Sequence, residues 1–201
     1  MSAPAPACTA AEALARLKAG NARFVHGEIR FPTVHQGVLA ALKQGQQPFA
    51  TILACSDSRV PPELVFDAGL GELFVIRVAG NVLGPMIAGT LQYAREHLGT
   101  PLFVVMGHEG CGAVQAALDS RLRGMQQKQR ISALLENVLP ALDDVDLGAE
   151  PEARMHAAVE ANVRRTLRTI RDSADARISD GGVQLVGAVY DLDTGEVRFL
   201  D

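Results

Sequence analysis

Two short segments hold the residues whose types and spacing could do chemistry: Cys55-Ser-Asp57-Ser-Arg59-Val-Pro-Pro and Gly107-His108-Glu-Gly-Cys111-Gly112, each directly after an apolar run. In extended backbone, side chains at i, i+2 and i+4 point the same way. Cys55, Asp57 and Arg59 are therefore expected to face one side together. His108 and Cys111 stand three apart where a strand is expected to turn into a helix, a spacing that lets both reach one ion. A helix N-terminus also favours the thiolate that a metal requires. Two thiolates and one imidazole suit zinc, and three protein ligands rather than four leave a position for water. Zinc can lower the pKa of that water to about 7, giving hydroxide near neutral pH. Two negative sulfurs work against this lowering, so a further group should help. Asp57 can accept a hydrogen bond from the hydroxide, and Arg59 can hold Asp57 off the metal through a bidentate pair. The composite is a hydrolytic or hydrating zinc site.

Neither segment would carry this reading alone. A single cysteine after a strand more often serves packing, and His-x-x-Cys arises by chance. A redox pair is not indicated, because the chain has no Cys-x-x-Cys. Finding both segments at strand ends, with a carboxylate and an arginine in place, is what points to a site.

The elements that must position these residues follow from periodicity. Phe49–Ala54, Leu73–Val78, Leu102–Met106 and Val183–Tyr190 read as buried strands, and Val197–Leu200 as a partner of the last in an edge hairpin. Helices are expected over Thr9–Val25, with Thr9 and Glu12 as a capping box, and over Val34–Lys43, Met86–Leu98, Ala113–Leu118, Gln126–Leu139 and Glu152–Ser173. The stretch from Gln126 to Ser173 is expected outside the main sheet. Alternation of strand and helix implies a three-layer α/β fold: a mainly parallel sheet of four strands, an antiparallel edge strand, and flanking helices. Active sites in such sheets lie at the carboxyl ends of strands.

Composition sets the outer limits. A chain of 201 residues suits one domain, 1–201, with residues 1–8 read as a flexible tail. Net charge is −4, aromatic content 4% and there is no Trp, which argues against nucleic acid as a partner. No apolar run approaches the roughly 20 residues of a membrane span. The N-terminus lacks the pattern of a secretory leader, so the cytoplasm is expected, or the periplasm if a leader has been removed. The three cysteines cannot form a full disulfide framework.

Cys-Ser-Asp-Ser-Arg-Val followed by Gly-His-x-x-Cys-Gly resembles the β-class carbonic anhydrases. The likeness extends to Leu17-Lys-Ala-Gly-Asn21-Ala-Arg-Phe24-Val near the start and Gly187-Ala-Val-Tyr-Asp191-Leu-Asp-Thr-Gly195 near the end. It implies a lyase interconverting carbon dioxide and bicarbonate, with one zinc per subunit on Cys55, His108 and Cys111, and Asp57 with Arg59 as catalytic dyad. Plant-like members line the substrate pocket with a Gln, a Phe and a Tyr, which Gln46, Phe74 and Tyr93 match in position; Gly112 is counted with them as substrate-binding. The resemblance also implies a homodimer or tetramer, with part of this lining supplied by the partner chain. Some bacterial members bind inhibitory bicarbonate with a Trp three residues before the first cysteine, where this chain has Ile52. Rival readings are a hydrolase acting on carbon disulfide, a non-catalytic zinc or bicarbonate binder, and a structural zinc domain. The last normally has four protein ligands. His26, His35, His97 and His156 read as surface or packing residues, Cys8 as a free thiol in the tail, the Arg164–Arg171 set as a solvated face, and Glu109 as either exposed or behind the ligands.

Overall fold

The computed structural model describes residues 8–30, 36–173 and 182–200. Most of the expected tail and His35 lie outside these. Among the described residues, five strands form one sheet in the order β2-β1-β3-β4-β5, with β1 at Ala50–Ala54, β2 at Leu73–Arg77, β3 at Leu102–His108, β4 at Gln184–Tyr190 and β5 at Val197–Leu200. The first four run parallel and β5 is antiparallel, as expected. Every residue of β1 and β3 is buried, which is why those runs are apolar without alternation.

The helices are α1 (Ala10–Val25), α2 (Gln36–Leu42), α3 (Pro62–Val65), α4 (Pro85–Tyr93), α5 (Gly112–Arg123), α6 (Gln129–Leu135) and α7 (Pro151–Asp172). The expected capping box starts α1: Thr9 Oγ1 accepts from the Glu12 N–H at 3.2 Å, and Glu12 Oε2 accepts from the Thr9 N–H at 2.8 Å. Buried Asn21 then ties α1 to both ends of the fold, donating to Val65 O and Gly195 O and accepting from the Val197 N–H. Two expected helices are shorter or less regular. Pro85 starts α4, but its last turn, Ala94–Leu98, widens to a π-helix that stops at Gly99 with φ +64°. In place of one helix over Gln126–Leu139, α6 ends at Leu135 and a 3-10 turn, Leu139–Asp144, with Pro140 in its first turn, follows.

The α7 helix is not peripheral. It packs directly on β3 and β4, where Gly107 and Gly187 leave room for Val163: a Cβ at either position would lie 2.7 Å and 3.1 Å from its methyls. Cys8 is half-buried against the core rather than free in a tail. Among the described residues, no helix is long and apolar enough to cross a membrane.

Candidate metal centre

After β1 the chain crosses to β2 on one side, then returns to β3 on the other, so β1 and β3 flank the sheet's topological switch point. Crevices at such points, at the carboxyl ends of the strands, are where open α/β sheets bind ligands. The β1–β3 register pairs Ala54 with Met106, so Cys55 and His108 emerge side by side at this edge. Cys111 is the residue that caps α5. The two motifs thus meet, though not by the local geometry expected. His108 is the last residue of β3 and Cys111 sits past a turn at Gly110 (φ +62°), so they do not share a helix face. Likewise the chain turns after Cys55 instead of staying extended: the Arg59 N–H donates to Asp57 Oδ1 at 3.0 Å, and the side chains meet by closing that turn.

Cys55, His108 and Cys111 are all buried, and their ligand atoms lie within 4.8 Å of one another. The two sulfurs are 3.9 Å apart. That is far beyond a disulfide bond, and close to the roughly 3.8 Å that two thiolates at 2.3 Å subtend on a tetrahedral zinc. His108 Nδ1 lies 2.9 Å from the carbonyl of Glu109. A carbonyl only accepts, so Nδ1 carries the hydrogen and Nε2 presents its lone pair. That Nε2 is buried with no hydrogen-bond partner among the described residues. An orphaned acceptor facing two sulfurs is costly unless something occupies the space between them. The donor set and spacing fit zinc.

The electrostatics agree. The Cys55 thiol is pushed down, chiefly by its contact with the Cys111 sulfur, with a further contribution from the Gly80 N–H, which donates to Cys55 Sγ at 3.4 Å. Cys111 is pushed up by the same contact and by burial. A dication binding both sulfurs would displace the protons they carry. Asp57 lies beside the triad, its Oδ2 3.9 Å from His108 Nε2. Arg59 holds it with a fork, Nε to Oδ1 at 2.9 Å and Nη2 to Oδ2 at 2.7 Å. That fork holds the Asp57 carboxyl well below the usual carboxylate range, against the opposing effect of burial.

These features fit one family, and the comparisons agree. The family model for carbonic anhydrase matches residues 50–197. The chain is 38% identical over 189 residues to carbonic anhydrase 2 of Mycobacterium tuberculosis, covering 92% of this chain and 90% of that one. The chain belongs to the β-class carbonic anhydrases. The solved β-carbonic anhydrase CcaA superposes with a TM-score of 0.75 at 29% identity, over 94% of this chain and 95% of that one. One of two tetrameric β-carbonic anhydrases of Sordaria macrospora shares the fold, with a TM-score of 0.73 at 22% identity over 94% of this chain and 95% of that one. The protein is accordingly a carbonic anhydrase.

Of the expected substrate lining, only Gly112, the first residue of α5, adjoins the triad. Phe74 and Tyr93 stack on each other with centroids 6.2 Å apart. Phe74 pairs in register with Thr51, about 13 Å along the strand from Cys55. Gln46 is exposed in the loop entering the opposite end of β1. Within one chain these three do not converge on the triad.

One contributor carries no signal in the sequence. Arg77, at the end of β2, donates from Nε to the Cys55 carbonyl at 2.9 Å and from Nη2 to the Asp57 carbonyl. It grips the backbone of the segment that bears a ligand and the carboxylate. Glu109 is half-buried behind the ligands, its Oε1 2.7 Å from Nδ1 of His156 on α7.

Proposed function

We propose that this enzyme carries out the zinc-dependent, reversible hydration of carbon dioxide to bicarbonate and a proton, with zinc held by Cys55, His108 and Cys111. The observation that carries the reading is the partnerless Nε2 of His108 facing two sulfurs at a zinc-compatible separation, with the Asp57–Arg59 fork alongside. Bound zinc supplies a Lewis acid that brings the pKa of water down to about 7.

The remaining steps belong to the chain. The Glu109 carbonyl fixes the His108 tautomer, so the ligand nitrogen needs no reorganisation. Arg59 keeps Asp57 ionised and occupied on both oxygens, so the carboxylate stays an acceptor rather than a fourth ligand. From 3.9 Å beyond His108 Nε2, Asp57 can accept a hydrogen bond from the attacking oxygen and orient its lone pair toward carbon dioxide. Bicarbonate leaves in exchange for water, and the proton passes to buffer.

The working unit is a homodimer or tetramer in which one protomer's Gln46, Phe74 and Tyr93 line its partner's pocket. Their distance from the chain's own triad supports this, as does the tetrameric relative of the same fold. Stopped-flow carbon dioxide hydration near pH 8 on zinc-loaded protein, beside Cys55→Ser and Asp57→Ala, tests the reading. Fast turnover should be lost with Cys55→Ser and fall at least about 100-fold with Asp57→Ala. No hydration by the zinc-replete wild type between about pH 7 and 9 would refute it.

A further inference from the structure

Asn162 sits on the buried face of α7, 1% exposed, among Ala158, Val159, Val163 and Thr166. An amide there has to be desolvated, and an apolar residue of the same volume would avoid that cost. Its Nδ2 donates to the Gly80 carbonyl at 2.8 Å, while its Oδ1 finds no partner among the described residues. The residue is therefore only half satisfied as a core group. That calls for another reason for its presence.

Gly80 supplies the reason. It lies in the turn after β2 with φ +70°, followed by Asn81 at φ +43°, an uncommon conformation for a residue with a side chain. The turn is hemmed in: a Cβ at Gly80 would come within 3.1 Å of Ala113 Cβ and 3.4 Å of Val138 Cγ2. From this turn the Gly80 N–H points at Cys55 Sγ, 3.4 Å away. Among the described residues, the only side chain bonded to the Gly80 carbonyl is Asn162.

We propose that Asn162 is a positioning residue for the Cys55 sulfur: by holding the Gly80 carbonyl it keeps the Gly80 N–H directed at Cys55 Sγ and so sets how strongly that sulfur donates to the bound metal. A pair of thiolates makes zinc a weaker Lewis acid. An N–H···S bond draws charge from one of them and offsets part of that loss. The amide is retained on α7 because it acts through the turn on the ligand, not because the core needs it.

The inference rests on Cys55 being a metal ligand. Its test uses the full chain loaded with cobalt(II) in place of zinc, as wild type and as Asn162→Leu. The variant should fold, with little loss of stability, and bind one cobalt per chain. Its thiolate-to-cobalt charge-transfer band should move to longer wavelength, because an unbonded sulfur lone pair lies higher in energy. The zinc-loaded variant should show kcat about tenfold lower, with little change in KM. A folded, cobalt-replete Asn162→Leu protein with an unmoved band and unchanged kcat would overturn the proposal, whatever its stability. If that variant does not fold, cadmium-113-loaded wild type decides the matter. Scalar coupling between the Gly80 amide proton and the metal through Cys55 Sγ is expected, and its absence overturns the proposal. Wild-type protein that takes up neither metal would instead sink the zinc site itself, a result distinct from a loaded protein indifferent to Asn162.

Discussion

Replacing Arg77 by Met removes one guanidinium but releases two backbone carbonyls, those of Cys55 and Asp57. A hydrogen bond from a charged donor contributes about 1.5–3 kcal/mol net where water cannot substitute. Here the Asp57 contact lies at the exposed rim, so water can take over that carbonyl once the arginine is gone. The expected cost to stability is therefore only about 1–2 kcal/mol, read as a shift of the urea midpoint. The kinetic cost should be larger. Arg59 orients the Asp57 carboxylate within its own turn, but Arg77 is what ties that turn to β2 and hence to the sheet. A misplacement of about 1 Å at a reacting group can lower a rate about 100-fold. Stopped-flow assays should show kcat about 10–100-fold below wild type at full zinc occupancy. KM for carbon dioxide should stay within about twofold, because the substrate is neutral and the lost charge does not bind it. Arg77→Lys, which keeps the charge but lacks the rigid fork that spans the two carbonyls, should fall between. An Arg77→Met protein that loses the expected stability yet keeps kcat within about twofold of wild type would refute the reasoning, reducing Arg77 to a strand-end ornament.

Three other outcomes follow from the geometry. Gly20→Ala places a Cβ 1.9 Å from the carbonyl oxygen of Phe66, a backbone atom that cannot rotate away, so α1 must lift from α3. We expect a loss of about 3 kcal/mol or more in chemical denaturation, and a loss below about 1 kcal/mol would mean the helices separate freely. Because Arg59 depresses the Asp57 carboxyl in the folded state, the pair stabilises fully above the unfolded value of about 3.9 and loses that contribution as pH falls toward the lowered folded value. Arg59→Met should return the carboxyl to a midpoint between about pH 3 and 5 by carbon-13 NMR, whereas a midpoint still as low as in wild type would show that the fork is not the cause. Chelation by dipicolinate should abolish hydration and lower Tm. Zinc restored to about 1,000 times its Kd should return about 4 kcal/mol of stability to wild type and none to Cys55→Ser.

Much of this was legible because the decisive signals are local. Apolar runs mark β1 to β5, Thr9 with Glu12 marks the start of α1, and the ligand-bearing motifs follow directly on strands. What was not legible depends on pairing at a distance. Parallel strands are joined by long crossovers with no turn chemistry to reveal their order. Nothing in the residues of β1 and β3 says that they are neighbours while β2 lies outside them, yet that order creates the switch point. Cys55, His108 and Cys111 lie together through a geometry other than the strand and helix spacing that their sequence positions suggest. A tight turn joins Asp57 to Arg59, and a strand end and a helix cap bring His108 and Cys111 together.

Two residues with no signal in the sequence have one thing in common: their targets are peptide groups. Arg77 grips the carbonyls of Cys55 and Asp57, and Asn162 that of Gly80. A backbone acceptor looks the same whatever residue bears it, so no motif advertises the partner. In sequence Arg77 reads as the polar end of an apolar run, and Asn162 as an interruption of a helix face. Both contacts converge on the segment from Cys55 to Asp57, which leaves β1 as irregular chain and must hold a ligand and a carboxylate in fixed relation. His108, by contrast, is the last residue of a fully buried strand, and its orientation is set by a carbonyl one residue away. The ligand carried on irregular backbone has remote supports, and the ligand built into the sheet needs only a local one. Substitutions that disturb the site from a distance should therefore act through Cys55 and Asp57 far more than through His108, and cobalt spectra of the Arg77 and Asn162 variants should report altered sulfur donation with the imidazole contribution unchanged.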